Sequence, residues 1–183
     1  ITCMKDPGGN VCCDRTSIAN VFADFYEELY RCRDLGDTHK FEDDALSREV
    51  LPPVTTMELR EQLKKMANGK GADQSGVVAE LLKESGDFFL HLVADVFNDV
   101  LKVDAIVPVA WKNTCLKVLL KKGDPRLPEN YRPIAVIPIL SKLFTKVVCS
   151  RVRSTLDAEQ SCDQAGFRSG FSCDDHLFTI SML

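Results

Sequence analysis

Thr114-Cys115-Leu116-Lys117-Val118-Leu119-Leu120, Lys121-Lys122-Gly123-Asp124-Pro125-Arg126-Leu127-Pro128-Glu129-Asn130 and Tyr131-Arg132-Pro133-Ile134-Ala135-Val136-Ile137 run consecutively, and the fold turns on how they are read. The first and last stretches are short, apolar and partly β-branched, and the connection between them holds Gly123, Pro125 and Pro128. That pattern predicts two strands, 114–120 and 131–137, joined as a hairpin. Elsewhere the apolar spacing is helical, so the period changes here.

Upstream, Ile18, Val21, Phe22, Phe25, Leu29 and Tyr30 recur at helical spacing and predict an amphipathic helix over 16–33. Residues 1–14, rich in Gly, Pro, Asp and Cys, read as irregular, and 34–53 as an acidic linker ending in Pro52-Pro53. Thr55 and Glu58 form a capping box, so a helix follows with Leu59, Leu63 and Met66 on one face, ending near Asn68-Gly69. After a loop at 69–76 come a short helix over 77–84 and a longer one. The longer helix has Phe89, Leu92, Val93, Val96, Phe97, Val100 and Leu101 as its buried stripe, and Pro108 limits its extension.

Downstream of the strands, Pro138 suits the first turn of a helix. Its stripe is Ile139, Leu140, Leu143, Phe144, Val147, Val148 and Val152, and its exposed side carries Lys142, Lys146, Arg151 and Arg153. A loop at 157–171 contains Gln164-Ala165-Gly166-Phe167-Arg168, and Ser172 with Asp175 caps a last helix. The expected fold class is α+β: mostly helical, with a small antiparallel strand pair.

The composition, 45% hydrophobic and 27% charged over 183 residues, is that of a folded chain rather than a disordered one. There is no apolar run of about 18 residues, which excludes a helical membrane span, and no membrane partner is expected. The first residues lack the apolar core of a secretion signal, so the expected location is intracellular, nuclear or cytoplasmic, and not secreted. Both ends read as cuts within something longer. The eight cysteines contain no C-x-x-C pair and there are three histidines, so no metal site is expected and the thiols are expected to be free.

Charge is unevenly placed. Residues 1–110 carry 12 basic and 20 acidic residues, whereas 111–153 carry 10 basic and 2 acidic. A polyanion would respond to that local field rather than to the average. No phosphate-binding Gly-Lys-Ser/Thr loop, G-x-S-x-G elbow or H-E-x-x-H motif occurs. Asp43-Asp44 reads as a solvated turn and Asp174-Asp175 as a helix start, so neither pair is taken as catalytic. Basic strand ends at Lys121, Lys122 and Arg132 suit a triphosphate, with Arg132 alternatively forming a buried pair with an acid.

Several short motifs stand in series. They are Gly69-Lys70, Glu80-Leu81-Leu82-Lys83, Trp111, Lys121-Lys122-Gly123-Asp124, Asn130-Tyr131-Arg132-Pro133-Ile134, Lys142-Leu143-Phe144, Arg151 and Gln164-Ala165-Gly166-Phe167-Arg168. In this order they resemble the N-terminal half of the reverse transcriptase domain of non-LTR (LINE-type) retrotransposons. The resemblance covers about 50–183, and the 16–33 helix resembles the region just upstream. It divides the chain into an upstream helix and acidic linker, 1–50, and a partial reverse transcriptase domain, 51–183.

The resemblance implies the fingers and partial palm of a right-hand RNA-directed DNA polymerase. It assigns Lys122, or its neighbour Lys121, and Arg132 to the phosphates of the incoming deoxynucleotide. It puts Gly166, Phe167 and Arg168 near the template, with Phe167 either stacking on a base or packing in the core. Lys142 and Lys146 would meet the nucleic-acid backbone. The implied partners are an RNA template, a DNA primer, dNTP, and the remaining palm and thumb.

Mg2+ would serve the complete enzyme, held by palm aspartates that the resemblance places beyond Leu183. This fragment is therefore expected to hold no cofactor and to be inactive alone. One departure is local: where the family loop has an aspartate, this chain has Ser75. The alternatives are a non-catalytic helical module binding a protein through the acidic 20–50 region, or a decayed remnant.

Overall fold

The computed structural model describes residues 1–31, 51–102, 105–161, 164, 166, 168 and 170–182. The expected linker at 34–53, Asp43-Asp44 and Phe167 fall wholly or largely outside these residues. Among them are seven α-helices and two two-stranded antiparallel sheets, so the class is α+β. No helix among the described residues is long and apolar enough to cross a membrane. The chain forms two compact units, each discontinuous in sequence: Ile1–Pro52 with Lys112–Ile137, and Pro53–Trp111 with Pro138–Leu183.

The first unit opens with a small hairpin, β1 (Met4–Lys5) against β2 (Val11–Cys12), where irregular chain was expected. The Asp6 carboxylate accepts from the backbone N–H of Asn10 at 2.8 Å and from its amide at 3.1 Å, closing the turn over Gly9, whose φ is +82°. The expectation of free thiols fails at two positions, because the hairpin brings Cys3 and Cys13 together as a disulfide. Cys12, Cys115, Cys149 and Cys173 are free.

Helix α1 (Arg15–Tyr30) follows, its first turn capped by the Asp14 carboxylate, which accepts from Ser17 N–H at 2.9 Å. Its buried residues are Ile18, Val21, Phe22 and Tyr26, so the core stripe passes through Tyr26 and leaves Leu29 and Tyr30 exposed. The reason is a polar one. Tyr26 is buried with its hydroxyl donating to the Tyr131 carbonyl at 3.2 Å, a satisfaction that Phe25 could not offer. Strands β3 (Cys115–Leu120) and β4 (Tyr131–Val136) pair antiparallel as expected, with Leu119 opposite Arg132 and Lys117 opposite Ile134. Met4, Ile18, Val21, Phe22, Tyr26 and Tyr131 form the core, with Val118 against it.

The second unit is helical. α2 (Thr56–Lys64) carries the expected capping box, and Leu59, Leu63 and Met66 are buried. α3 (Ala79–Lys83) and α4 (Asp87–Val100) follow, then the short α5 (Val109–Lys112) bearing Trp111. On α4 the buried face is Leu90, Val93, Ala94 and Phe97, while Phe89, Leu92 and Val96 are exposed. The apolar arc of this helix is wider than one contact face, so part of it stays exposed.

α6 (Ile139–Glu159) begins after Pro138 and buries Ile139, Leu143 and Val147, with Val152 exposed instead of packed. Phe97, Trp111 and Phe144 meet edge to face or tilted, with centroids 5.1–5.6 Å apart. α7 (Cys173–Ser181) starts at the Ser172–Asp175 capping box.

Candidate functional site

On β3 and β4, directly opposed residues share a face. Val118 and Tyr131 pack toward α1, which puts Lys117, Leu119, Arg132 and Ile134 on the other face, all exposed. Lys121 extends the ladder, its N–H donating to the Asn130 carbonyl at 2.8 Å, and Lys122 opens the turn; both are exposed.

The turn between the strands is held from several sides. The Asn130 amide donates to the Asp124 carbonyl at 3.0 Å, the Tyr131 hydroxyl to the Pro125 carbonyl at 2.7 Å, and Lys5 N–H to the Arg126 carbonyl at 2.8 Å. Gly123 has φ +84°, and a Cβ there would lie 2.8 Å from the Asn130 amide nitrogen, so a side chain at 123 is strained by its backbone and displaces the Asn130 amide. Burial, and secondarily nearby Asp124, pushes the Tyr131 phenol above its ordinary pKa, consistent with a donor held in the core.

Asp124 decides which cations are free. Its carboxylate accepts from Arg126 Nε and Nη2 at 3.1 Å each and lies 3.8 Å from Lys5 Nζ. Hydrogen bonds from the Arg126 guanidinium, then from its backbone, hold Asp124 below the usual carboxylate range. Arg126 and Lys5 are thereby compensated. Among the described residues no carboxylate lies in ion-pair range of Lys117, Lys121, Lys122 or Arg132. Arg132 is thus not in the buried pair that was the alternative for it. Two grooves of this unit are lined by other residues.

The remaining expected residues lie in the second unit. Lys142 is exposed and Lys146 half-buried, one turn apart on α6. Gly166 is exposed, and Gln164 Nε2 donates to its carbonyl at 3.0 Å. Arg168 is half-buried: Nη1 donates to the Ser161 carbonyl at 3.0 Å, and the guanidinium lies 4.5 Å over the Phe171 ring.

Arg151, read as exposed, is instead drawn inward. Its Nε and Nη2 donate to the two Glu58 oxygens at 2.9 Å each, and Nη2 also donates to the Pro53 carbonyl at 3.0 Å. Glu58 thus serves both the α2 capping box and α6, and the Arg151 bond first, with the Thr55 backbone, lowers its pKa.

The loop-ordering roles of Asp73, Glu80 and Lys83 escaped the sequence reading, although the last two stand in a motif it singled out. Asp73 accepts from Ser75 N–H at 2.9 Å and Val77 N–H at 3.0 Å. Its second oxygen accepts from Ile139 N–H at 2.9 Å, placing a carboxylate on the first turn of α6. Glu80 accepts from Gly69 N–H at 2.5 Å, and Lys83 donates to the Met66 carbonyl at 2.5 Å and to Asn68 Oδ1. The Gly69-Lys70 and Glu80-to-Lys83 motifs are therefore two halves of one clamp. An acid at 73 followed by Gly76 was the available signal for an Asx turn.

Among the described residues no group of three His, Cys, Asp or Glu side chains converges as a metal site.

No protein-family model matches the chain. Curated proteins do, and they are RNA-directed DNA polymerases and other products of mobile elements. The chain is 26% identical over 188 residues to the probable RNA-directed DNA polymerase from transposon BS of Drosophila melanogaster, covering 97% of this chain and 21% of that protein. It is 25% identical over 187 residues to the probable RNA-directed DNA polymerase from transposon X-element of the same fly, covering 97% and 20%. The transposon TX1 uncharacterized 149 kDa protein of Xenopus laevis is 26% identical over 192 residues, covering 98% and 14%.

The resemblance to non-LTR retrotransposon reverse transcriptases is borne out, and it reaches further toward the N-terminus than the motifs did. The chain spans about a fifth or less of the length of these relatives. Their names favour the polymerase reading over the interaction-module alternative.

Proposed function

We propose that this chain is the nucleotide- and template-contacting fingers, with the start of the palm, of an RNA-directed DNA polymerase. The polymerase domain begins near residue 51. Lys122 or Lys121, with Arg132, meets the triphosphate of the incoming dNTP. Lys142 and Lys146 meet the nucleic-acid backbone, and the 166–168 loop lies near the template. By the family resemblance, the carboxylates that serve the primer hydroxyl and Mg2+ lie beyond Leu183, so the chain alone incorporates nothing.

The observation that supports this most directly is the uncompensated set Lys117, Lys121, Lys122 and Arg132 on one braced hairpin, while neighbouring Arg126 and Lys5 are balanced by Asp124. A braced turn fixes the backbone from which these unpaired donors extend, and Arg supplies the fork while Lys supplies the point charge.

The test is Lys122→Ala with Arg132→Ala in the complete polymerase. Loss of charge on the phosphates lowers kcat/KM for dNTP by about tenfold or more. Unchanged dNTP kinetics refute the assignment. Primer extension by the present chain with Mg2+ on an RNA template gives no product; reproducible incorporation contradicts the reading.

A further inference from the structure

The first unit carries a second surface of opposite sign. A groove of about 840 Å3 runs along α1 beside the 127–129 segment. Its floor is apolar, built by Val21, Phe25 and Leu29 with Leu127 and Pro128. Val21, Phe25 and Leu29 stand four residues apart, which makes one row along the helix. Asp24 and Glu28 form a parallel row one residue round, and Glu129 adds an acid from the other wall.

Arg31 is compensated by Glu28 at 2.9 Å, and Lys5 lies 3.8 Å from Asp124. Asp24 and Glu129 have no ion-pair partner among the described residues. A negative rim over an apolar floor repels nucleic acid and nucleotide phosphates, so the ligand of this groove is not that of the hairpin.

We propose that the groove docks a short basic amphipathic segment of a partner protein. Apolar side chains of the segment rest on Phe25 and Leu29, and its Lys or Arg residues face Asp24 and Glu129. The volume lies in the range of pockets that take a few side chains. Residues 32–50 carry six acidic and three basic residues, the sign of the rim itself, so charge complementarity favours a basic partner segment over that stretch. This surface is independent of the triphosphate assignment, and failure of either leaves the other standing.

Fluorescence anisotropy tests it with the chain as it is. The probe is a fluorescein-labelled peptide of about 14 residues, with Leu at helical spacing and Lys or Arg elsewhere, beside a twin carrying Glu at the basic positions. The basic peptide binds and the acidic twin does not. Asp24→Lys with Glu129→Lys weakens binding about tenfold, while Asp95→Lys, exposed on α4 and without a described partner, leaves it unchanged. Leu29→Ser, at an exposed and therefore foldable position, weakens it as well. Equal binding of the acidic twin, equal weakening by Asp95→Lys, or tighter Leu29-dependent binding of a labelled 32–50 peptide would each overturn the proposal.

Discussion

Replacing Arg151 by Met and Glu58 by Gln, singly and together, measures how firmly α6 is tied to the start of α2. Two charge-assisted hydrogen bonds of 2.9 Å join these side chains across 93 residues of sequence. The pair is neither at the surface nor fully enclosed, with 22% of the Arg151 and 32% of the Glu58 side chain exposed. Fully exposed pairs couple by roughly 0.2–1 kcal/mol, whereas hydrogen bonds to charged groups contribute about 1.5–3. The partial exposure screens the pair, so the expected coupling is about 1–2 kcal/mol.

The single-substitution costs are larger, because Arg151→Met also forfeits the bond to the Pro53 carbonyl. The coupling is the cleaner quantity, since each side chain's other contacts cancel in the cycle. Urea unfolding followed by far-UV circular dichroism supplies the four free energies.

The same cycle has a defined pH dependence. The Arg151 hydrogen bond lowers the folded pKa of Glu58 from its ordinary 4.5, so the folded state favours the carboxylate. The stabilisation is complete above the unfolded value and is lost as pH falls through the folded one. The coupling is therefore present at neutral pH and fades in acid below 4.5. A neutral-pH coupling under about 0.4 kcal/mol, the ordinary error of additivity, refutes the reasoning. So does a coupling that survives full protonation.

Gly123→Ala lowers stability by about 1–3 kcal/mol, because a positive φ is combined with a Cβ forced against Asn130. Gly76→Ala, with φ +78° and nothing within 4 Å, costs less, and equal urea midpoints for the two would contradict the crowding argument. Reducing the Cys3–Cys13 bridge, which spans 10 residues of sequence, lowers stability by roughly 2–3 kcal/mol on the loop-entropy relation. Cys3→Ser reproduces that loss and is indifferent to reductant; equal melting with and without reductant in the unmodified chain speaks against the bridge.

Local signals read well. Both capping boxes, Thr55–Glu58 and Ser172–Asp175, form as their spacing requires, because partner and cap lie within one turn. The strand pair is also legible, because period and turn residues specify it. The cationic character of 111–153 is a matter of counting.

What the chain's order of residues left open was settled by partners distant in sequence. Neighbouring helical positions differ by about a sixth to a third of a turn, so a wide apolar arc supports two stripes, and only the packed neighbour selects one. On α4 the choice fell on Leu90 and Ala94; on α1 it fell on Tyr26, whose hydroxyl needed the Tyr131 carbonyl 105 residues away.

Charge shows the same division. Composition establishes that Lys5, Arg126, Arg132 and Arg151 are cations, and Asp124 stands two residues from Arg126, but only the tertiary structure brings Lys5 to Asp124 and Arg151 to Glu58. Arg132 alone of the four is left exposed without an ion-pair partner among the described residues. Local propensity acts over a turn of chain, whereas desolvation and Coulomb pairing act through space, and that difference in range separates what could be read from what had to be seen.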